Sequence, residues 1–369
     1  MRRRYKIPGV LLAFLAVTLM AAAGYLSHED ECRPTESLAA GAVTMKAVVY
    51  RCYGGPEVLK FEDIAKPSPD IDEVLIRVHA AAVNPLDWHY LRGLPYIMRI
   101  SSGVGAPEQI RLGRDFSGTV EAVGKNVTQY KPGDEVFGGG NGAFAEYVTV
   151  RETRALALKP TNMSFEQAAA VPVAAITALQ ALRDPGALQA GQKVLINGAS
   201  GGVGTFAVQI AKSMGAEVTG VCSTRNMAMV RALGADRVID YRQEDFTRGS
   251  ERYDLIIDNV GNHALSDLRR AMTASGTTVI VGGPSDEDFL GPLTGLIKAV
   301  LYSPFVGQRF LSVMADENHK DLDALRVLMQ SGKLTPVIDR RYPLTQTAAA
   351  IQYVEEGHAR GKVVITVAN

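Results

Sequence analysis

The spacing of hydrophobic residues changes along this chain and divides it into segments. Between residues 45 and 150, short apolar runs alternate with turn signals such as Lys131-Pro132-Gly133-Asp134, a pattern typical of β-strands. Between residues 191 and 283, strand-like apolar runs alternate with stretches in which apolar residues recur at helical spacing. The pattern predicts an all-β domain of barrel or roll type and then an α/β domain. A last apolar run, residues 361–367, predicts a strand that returns to the first domain.

Helical spacing predicts two more helices, over residues 165–182 and 316–330. Residues 290–314 are rich in apolar side chains for a segment expected at the surface. A subunit interface, a lid over a cleft and a membrane-touching face all fit such a segment, and we prefer the interface.

The N-terminus carries the longest apolar run of the chain. Basic residues 1–6 precede the uncharged segment Ile7–Leu26, whose length matches a bilayer. Two interpretations stay open: an uncleaved single-pass membrane anchor, or a signal peptide cut near Ala21 that leaves the chain exported. We favour the anchor because the run is longer than a typical signal core. It predicts a hydrophobic helix within residues 1–30 and a membrane location whose side the sequence leaves open.

The α/β segment contains the most informative motif. Val194-Leu195-Ile196 predicts a buried strand, a glycine-rich turn follows, and helical spacing resumes up to Gly215. This order forms the phosphate cradle of a dinucleotide-binding fold, because glycines let the backbone approach a pyrophosphate and a helix N-terminus offers free N–H groups. Ala199 stands where the usual fingerprint has its first glycine, so the flanking strand and helix support the assignment. The predicted cofactor contacts are Gly198, Ala199, Ser200, Gly201, Gly202, Val203 and Gly204.

The residues after the next predicted strand indicate which dinucleotide binds. An NAD site usually has an acidic residue about 20 positions beyond the glycines, to hold the ribose 2′-hydroxyl. No Asp or Glu lies between Glu217 and Asp236, and Arg225 stands where a 2′-phosphate would lie, with Ser223 and Asn226 beside it. Since arginine matches phosphate geometry, the sequence predicts NADPH.

Composition excludes some classes of protein. The chain has 369 residues, enough for two domains, and its 39 Lys and Arg balance 39 Asp and Glu, so no nucleic-acid partner is expected. The cysteines Cys32, Cys52 and Cys222 lack metal-binding or disulfide-framework spacing. Cys32 and Cys52 could pair if the chain is exported, which the sequence does not decide.

Several ordered motifs resemble the medium-chain dehydrogenase/reductase superfamily, and within it the zinc-free branch of quinone and enone reductases. They are residues 81–88 (AAVNPLDW), 113–120 (GRDFSGTV), 131–138 (KPGDEVFG), 197–204 (NGASGGVG), 233–236 (LGAD) and 357–364 (GHARGKVV). The resemblance covers about residues 45–367 and implies an α/β fold that joins a GroES-like, β-rich catalytic domain to a doubly wound Rossmann domain. It also implies a homodimer.

The expected domain organisation follows from these motifs and from the N-terminal pattern. The boundaries are residues 1–30 for the hydrophobic N-terminal helix, 31–44 for a linker, 45–165 for the catalytic domain, 166–310 for the NADP-binding domain and 311–369 for the return to the catalytic domain.

Departures from the zinc alcohol dehydrogenases of the superfamily bear on the chemistry. Where those enzymes place zinc ligands, this chain has Asn84, Arg114 and Asp115, and three cysteines are too few for the four-cysteine structural site. Asparagine binds zinc poorly and arginine does not deprotonate, so no metal site is predicted. Arg114 and Asp115 are expected to pair with each other across the cleft.

The resemblance also suggests catalytic candidates. It places Asn84 and Asp87 at the mouth of the active site, although both residue types near a proline also serve turn formation. His89 and Tyr96 are alternative proton donors, with a structural role open for the histidine. Beyond the glycine turn, the predicted cofactor contacts are Ser223, Arg225, Asn226, Asn259 and Gly282, while Lys212 is expected to be a solvated helix residue.

Together these observations predict a membrane-anchored, zinc-independent, NADPH-dependent oxidoreductase that transfers hydride to a small electrophile, a quinone or an α,β-unsaturated carbonyl. Without a metal to polarise an alkoxide, alcohol oxidation is disfavoured. A zinc-type alcohol dehydrogenase and a non-catalytic NADPH-binding redox sensor at the membrane stay open as alternatives.

Overall fold

The computed structural model of the chain describes residues 21, 23–35, 37–283, 291, 293–303 and 306–367. The strands of the first part are β1 (Thr44–Val49), β2 (Lys60–Ala65), β3 (Glu73–Val83), β4 (Asp115–Val123), β5 (Glu135–Gly139), β6 (Tyr147–Arg151) and β7 (Leu156–Leu158). The second part contributes β8 (Lys193–Asn197), β9 (Glu217–Cys222), β10 (Arg237–Asp240), β11 (Tyr253–Asp258), β12 (Met272–Ile280) and β13 (Arg309–Ser312). The C-terminal strands are β14 (Ile338–Pro343) and β15 (Lys362–Thr366).

The helices of the described residues connect these strands. They are α1 (Pro85–Arg92), α2 (Arg99–Ser102), α3 (Phe165–Ala169), α4 (Pro172–Arg183), α5 (Gly202–Ser213), α6 (Met227–Ala232), α7 (Leu265–Arg270), α8 (Leu293–Tyr302), α9 (His319–Gln330) and α10 (Thr347–Glu355).

The first domain is built on a sheet of seven strands within the described residues, in the order β14-β15-β3-β4-β5-β7 with β6 also paired to β3. Most pairs are antiparallel, and β1 and β2 form a separate hairpin. The C-terminal strand β15 pairs antiparallel with β3, with Val363 opposite Val83. The last described strand therefore returns to the sheet of the first domain, as the sequence predicts.

The second domain contains a parallel sheet in the order β10-β9-β8-β11-β12-β13. On β8, Val194 and Ile196 join one apolar cluster with residues of α4, α5 and α9, whereas Leu195 between them joins another that contains Phe246 and Leu268. Because successive side chains of a strand point to opposite faces, both faces of this sheet are buried. This is the doubly wound Rossmann arrangement that the sequence predicts.

The apolar stretch over residues 165–182 forms two helices instead of the single one expected. Ser164 caps α3 by accepting a hydrogen bond from the backbone N–H of Gln167 at 3.2 Å. The break falls at Pro172, which begins α4, because proline has no N–H to donate and fits only the first turn of a helix.

The predicted single-pass membrane anchor is wrong. Among the residues that the structure describes, no helix is long and apolar enough to cross a membrane. The greater part of the predicted span, residues 7–20, lies outside the described residues. Leu26, at its end, is buried in the protein, and its carbonyl accepts a hydrogen bond from the guanidinium of Arg99. Hydrophobic composition alone does not distinguish burial in lipid from burial in protein.

The segment after Leu26 is held on the first domain by two kinds of contact. Arg99 is fully buried between the rings of Tyr53 and Tyr96 and forms an ion pair with Glu29 at 2.8 Å. A disulfide joins Cys32 to Cys52. The residues expected to be a free linker, 31–44, are therefore fixed at one end by a covalent bond.

The apolar segment over residues 290–314 contains α8 and β13. The latter is a strand that the pattern of hydrophobic residues does not predict. It pairs parallel with β12 and forms the outer strand of the sheet. A polar residue at each end of Arg309–Ser312 and only two apolar residues between them give too short a run to stand out from the surrounding sequence.

Candidate active site

The glycine turn lies between β8 and α5, at the carboxyl edge of the parallel sheet. Gly198 adopts a positive φ of 77°, which L side chains rarely accept, and a Cβ added to Gly204 would lie 2.1 Å from the carbonyl oxygen of Gly198. Ala199 is tolerated in place of a glycine because its methyl group is buried under Gly220 and away from the open side of the turn. The first N–H groups of α5 have no partner within a helix and form an anion site.

The turn after β9 connects three parts of the expected cofactor site. The side-chain amide of Asn226 donates to the hydroxyl of Ser200 at 3.0 Å and to that of Ser223 at 3.2 Å. Its other atom, Oδ1, is buried and has no hydrogen-bond partner among the described residues. Arg225 is exposed and donates to the carbonyl of His358 at 3.2 Å. An exposed guanidinium and an unpaired buried acceptor fit a phosphate and a hydroxyl of NADP(H).

The carboxyl ends of the central strands are held by a network of amides. The amide of Asn197 donates to Asp258 at 2.9 Å, and the amide of Asn259 donates to the carbonyl of Asn197 at 2.8 Å. The Oδ1 atom of Asn259 is buried and unpaired among the residues described. A Cβ on Gly282 would lie 2.5 Å from the carbonyl of Asn259, so the two predicted contacts lie side by side. These residues also fit NADP(H), with a free acceptor where the strands end.

The sequence analysis did not identify Lys362, which lies between the two domains. Its ammonium donates to Asp115 at 3.0 Å and to the amide oxygen of Asn84, and all three side chains are buried. The amide nitrogen of Asn84 donates to the same carboxylate at 3.0 Å. The stem of Lys362 lies 3.4 Å from where a Cβ on Gly202 would be, so the cluster borders the glycine turn. The run GHARGKVV contains this lysine, but nothing in that run indicates its partner.

Asp87 lies beside this cluster and is fully enclosed. Its carboxylate accepts hydrogen bonds from the backbone N–H of Asn84 at 2.8 Å and of Gly113 at 3.0 Å. Burial raises the pKa of Asp87 to about 7, against the opposing effect of these two donors. The geometry of Asn84 and Asp87 is that of a capped helix start, the alternative that the sequence left open for them.

His89 and Tyr96 are both half-buried but differ in their partners. Nδ1 of His89 lies 2.8 Å from the carbonyl of Leu94, and the ring stacks on Trp88. Burial lowers the pKa of His89, so the imidazole is neutral and keeps its proton on Nδ1. The ring of Tyr96 covers the guanidinium of Arg99, and its hydroxyl makes no hydrogen bond within the described part of the chain.

Arg114 and Asp115 do not pair with each other as the sequence suggested. Arg114 forms an ion pair at 2.8 Å with Glu317, which follows β13 in the second domain, while Asp115 pairs with Lys362. Arg114 immediately precedes β4 and Asp115 begins it, yet the two neighbours have partners in different parts of the chain. Lys212 binds Asp236 at 2.8 Å, in agreement with a surface role. Among the described residues, no group of three or more His, Cys, Asp or Glu could hold a metal ion.

Comparisons with known proteins agree with this architecture. The family model for the alcohol dehydrogenase GroES-like domain matches residues 70–160, and that for the zinc-binding dehydrogenase domain matches residues 233–365. A mitochondrial NAD(P)H oxidoreductase of Mus musculus is 35% identical over 91% of this chain and 92% of its own length. A quinone oxidoreductase of Homo sapiens is 33% identical over 89% of this chain and 99% of its own length.

Two further similarities cover most of the chain. An NADPH-dependent alkenal/one oxidoreductase from the chloroplast of Arabidopsis thaliana is 35% identical over 87% of this chain and 79% of its own length. The structure of the quinone oxidoreductase from Coxiella burnetii superimposes with a TM-score of 0.77 at 32% identity, and covers 88% of this chain and 100% of that one.

The enclosed carboxyl of Asp87 makes stability depend on pH. The native state keeps its proton up to about pH 7, whereas the unfolded chain releases it near pH 4, so the native state binds more protons within this window. The free energy of unfolding should therefore fall as the pH rises from about 4 to 7, by up to roughly 4 kcal/mol from this group. Asp87→Asn removes this contribution. The free energy of unfolding, measured with urea at each pH, should therefore fall less with rising pH in this variant than in the wild type.

Other carboxyl groups titrate in both proteins, so the quantity compared is the difference between wild type and variant in how the free energy of unfolding changes with pH. Asp70→Asn, which removes an exposed carboxylate, serves as the matched control. Identical slopes for the wild type and Asp87→Asn would contradict the raised pKa.

The motifs, the two-domain fold with its returning strand and these similarities lead to one conclusion: the chain belongs to the quinone and enone reductase branch of the medium-chain dehydrogenase/reductase superfamily.

Proposed function

We propose that this chain is an NADPH-dependent reductase that transfers hydride to a quinone or an α,β-unsaturated carbonyl. The main support is the convergence of the glycine turn, Arg225 and the unpaired amide oxygens of Asn226 and Asn259 at one edge of the parallel sheet. The names of the relatives, quinone oxidoreductase and alkenal/one oxidoreductase, support the class of acceptor.

The reaction needs few groups from the protein. When bound, the reduced nicotinamide supplies the hydride, which an enone accepts at its β-carbon while its α-carbon takes a proton. The cofactor is oxidised and the carbon–carbon double bond becomes single. The protein must hold the cofactor, place the acceptor beside it, stabilise the enolate oxygen and provide the proton.

Among the four predicted catalytic residues, Tyr96 is the best proton donor. Its hydroxyl is free among the described residues, whereas His89 holds its proton against a carbonyl and presents only a lone pair on Nε2. Asn84 and Asp87 are buried in hydrogen bonds to the protein, so in this proposal they position α1 and the segment that carries Tyr96.

A homodimer is part of the proposal. Strand β13 is one of the two edge strands of the parallel sheet within the described residues, and its open edge offers backbone groups to a second copy of the chain.

The first test of the function follows NADPH absorbance with benzoquinone, a linear enone and, in the oxidative direction, a primary alcohol. We expect NADPH to be consumed with quinone or enone at a rate that a chelator does not change, since Asn84 and Arg114 stand where metal ligands would be needed. Alcohol oxidation that a chelator abolishes would contradict the proposal, and binding without turnover would favour a redox sensor.

Removing the guanidinium of Arg225 should weaken NADPH binding selectively. Arg225→Gln should raise the KM for NADPH about tenfold or more and leave that for NADH unchanged, because only NADPH carries the 2′-phosphate. Steady-state kinetics with both cofactors give the ratio. Arg231→Gln, which removes an exposed arginine from α6, is the control, and equal effects on the two cofactors would refute the role of Arg225.

Removing the hydroxyl of Tyr96 should slow the chemical step. Tyr96→Phe should lower kcat with the enone by about a hundredfold and leave the KM for NADPH unchanged, because general acids contribute effects of this size. Tyr241→Phe alters an exposed tyrosine and serves as the control. An unchanged kcat in Tyr96→Phe would exclude this residue as the donor.

A further inference from the structure

A cavity of about 400 Å³ lies beside the candidate active site, lined by residues of both domains. Arg111, Arg114, Arg151 and Arg154 come from the first domain, and Glu317 comes from the segment after β13 in the second. The cavity is therefore rich in guanidinium groups, which favour oxyanions.

The positive charge of this cavity is not balanced by its own residues. Glu317 is its sole lining carboxylate among the described residues, and it is occupied by Arg114 at 2.8 Å. Burial raises the pKa of Glu317, although the neighbouring Arg114 opposes the shift. Burial also lowers the pKa of Arg111, which has no carboxylate beside it to compensate. With Glu317 ionised, four guanidinium groups face one carboxylate, which leaves a formal charge of +3 (4 − 1).

Two hydrogen-bond donors of the cavity are buried without an acceptor. They are Nη1 of Arg111 and Nε of Arg114, and neither has a partner among the residues described. A buried charged donor without a partner is unfavourable, so such groups are rare unless they have a ligand to bind. An oxyanion in the cavity would offset the excess charge of the two guanidinium groups that carry these donors.

The position of the cavity connects it with hydride transfer. Arg114 immediately precedes Asp115, whose partner Lys362 borders the glycine turn. Glu317 lies just beyond the carboxyl end of β13, and the carboxyl ends of β8, β11 and β12 carry the expected cofactor contacts at the same edge of the sheet. In the strand order, Glu317 follows β13 on one side of β8, whereas Arg225 follows β9 on the other, so the cavity and Arg225 lie on opposite sides of the glycine turn.

We propose that this cavity binds an oxyanion, a carboxylate or phosphate, that is carried by the hydride acceptor itself. The inference rests on the proposed reductase function and specifies its substrate class: acidic enones or quinones are preferred over neutral ones. Arg111 is the principal recognition residue because its guanidinium has no hydrogen-bond or ion-pair partner among the described residues.

The test compares two acceptors that differ in charge, trans-β-acetylacrylate and its methyl ester, with NADPH and the full chain. Their intrinsic reactivities differ, so the quantity of interest is the acid-to-ester ratio of kcat/KM in a variant relative to the wild type. Arg111→Gln should lower this ratio about tenfold, the loss expected for one charge-assisted hydrogen bond. Arg111→Lys should lower it less, because the charge is kept.

A control variant and a second test variant make the measurement specific. Arg252→Gln removes an exposed arginine of the second domain and should leave the ratio unchanged. Arg154→Gln alters an exposed lining residue and should lower the ratio more mildly, which keeps the proposal testable if Arg111→Gln fails to fold.

Inorganic phosphate distinguishes an acceptor group from a free anion. It should inhibit reduction of the acid competitively, and the inhibition should weaken in Arg111→Gln. If phosphate binds but the acid-to-ester ratio is the same in wild type and Arg111→Gln, the cavity serves a free anion and the proposal is overturned. If the wild type reduces only the ester, and Arg111→Gln changes the rate with neither acceptor, the cavity proposal is overturned. The proposed reductase function would then still stand.

Direct binding separates failure of this inference from failure of the proposed function. If no acceptor is reduced, calorimetry with levulinate, the saturated product of β-acetylacrylate, measures the site without catalysis. Binding by the NADP⁺-loaded wild type and at least tenfold weaker binding by Arg111→Gln would support the cavity. Absence of binding would overturn it.

Discussion

The buried ion pair between Lys362 and Asp115 holds the first domain together at the point where it meets the glycine turn of the second. Two charges removed from water must satisfy each other, and breaking such a pair by removing one partner costs about 3–5 kcal/mol. Asn84 completes the cluster at the start of α1, and Asp115 also accepts the backbone N–H of Val173 at 2.9 Å. The cluster therefore joins β4, β15, α1 and α4 at the point where the glycine turn approaches.

Two neighbouring residues where β4 begins have different roles. The carboxylate of Asp115 is paired with Lys362 inside the cluster, whereas Arg114 forms an ion pair with Glu317 of the second domain. A structural carboxylate and a guanidinium of the cavity therefore lie one residue apart in the chain. In the zinc dehydrogenases that this branch resembles, the corresponding places hold metal ligands, whereas here Asn84, Arg114 and Asp115 are paired with other protein side chains.

Parts of the site could be predicted because their chemistry is local. The turn from Gly198 to Gly204 is recognisable since a positive φ and a close backbone contact each require glycine within a few residues. Arg225 was located by its distance from that turn. The catalytic residues were less accessible: Asn84 and Asp87 fit a helix cap as well as an active site, and their residue types do not decide between the two.

The sequence by itself determined most of the strands, the glycine turn, the binding of NADP(H) and the order of the two domains, because each depends on neighbours in the chain. Only the tertiary structure decided the pairing of Lys362 with Asp115, 247 residues apart, and of Arg114 with Glu317, 203 residues apart. It also decided that Leu26 is buried in protein, where hydropathy predicted lipid. A charged or apolar side chain specifies the kind of partner it needs, but the partner itself is set by the path of the chain between them.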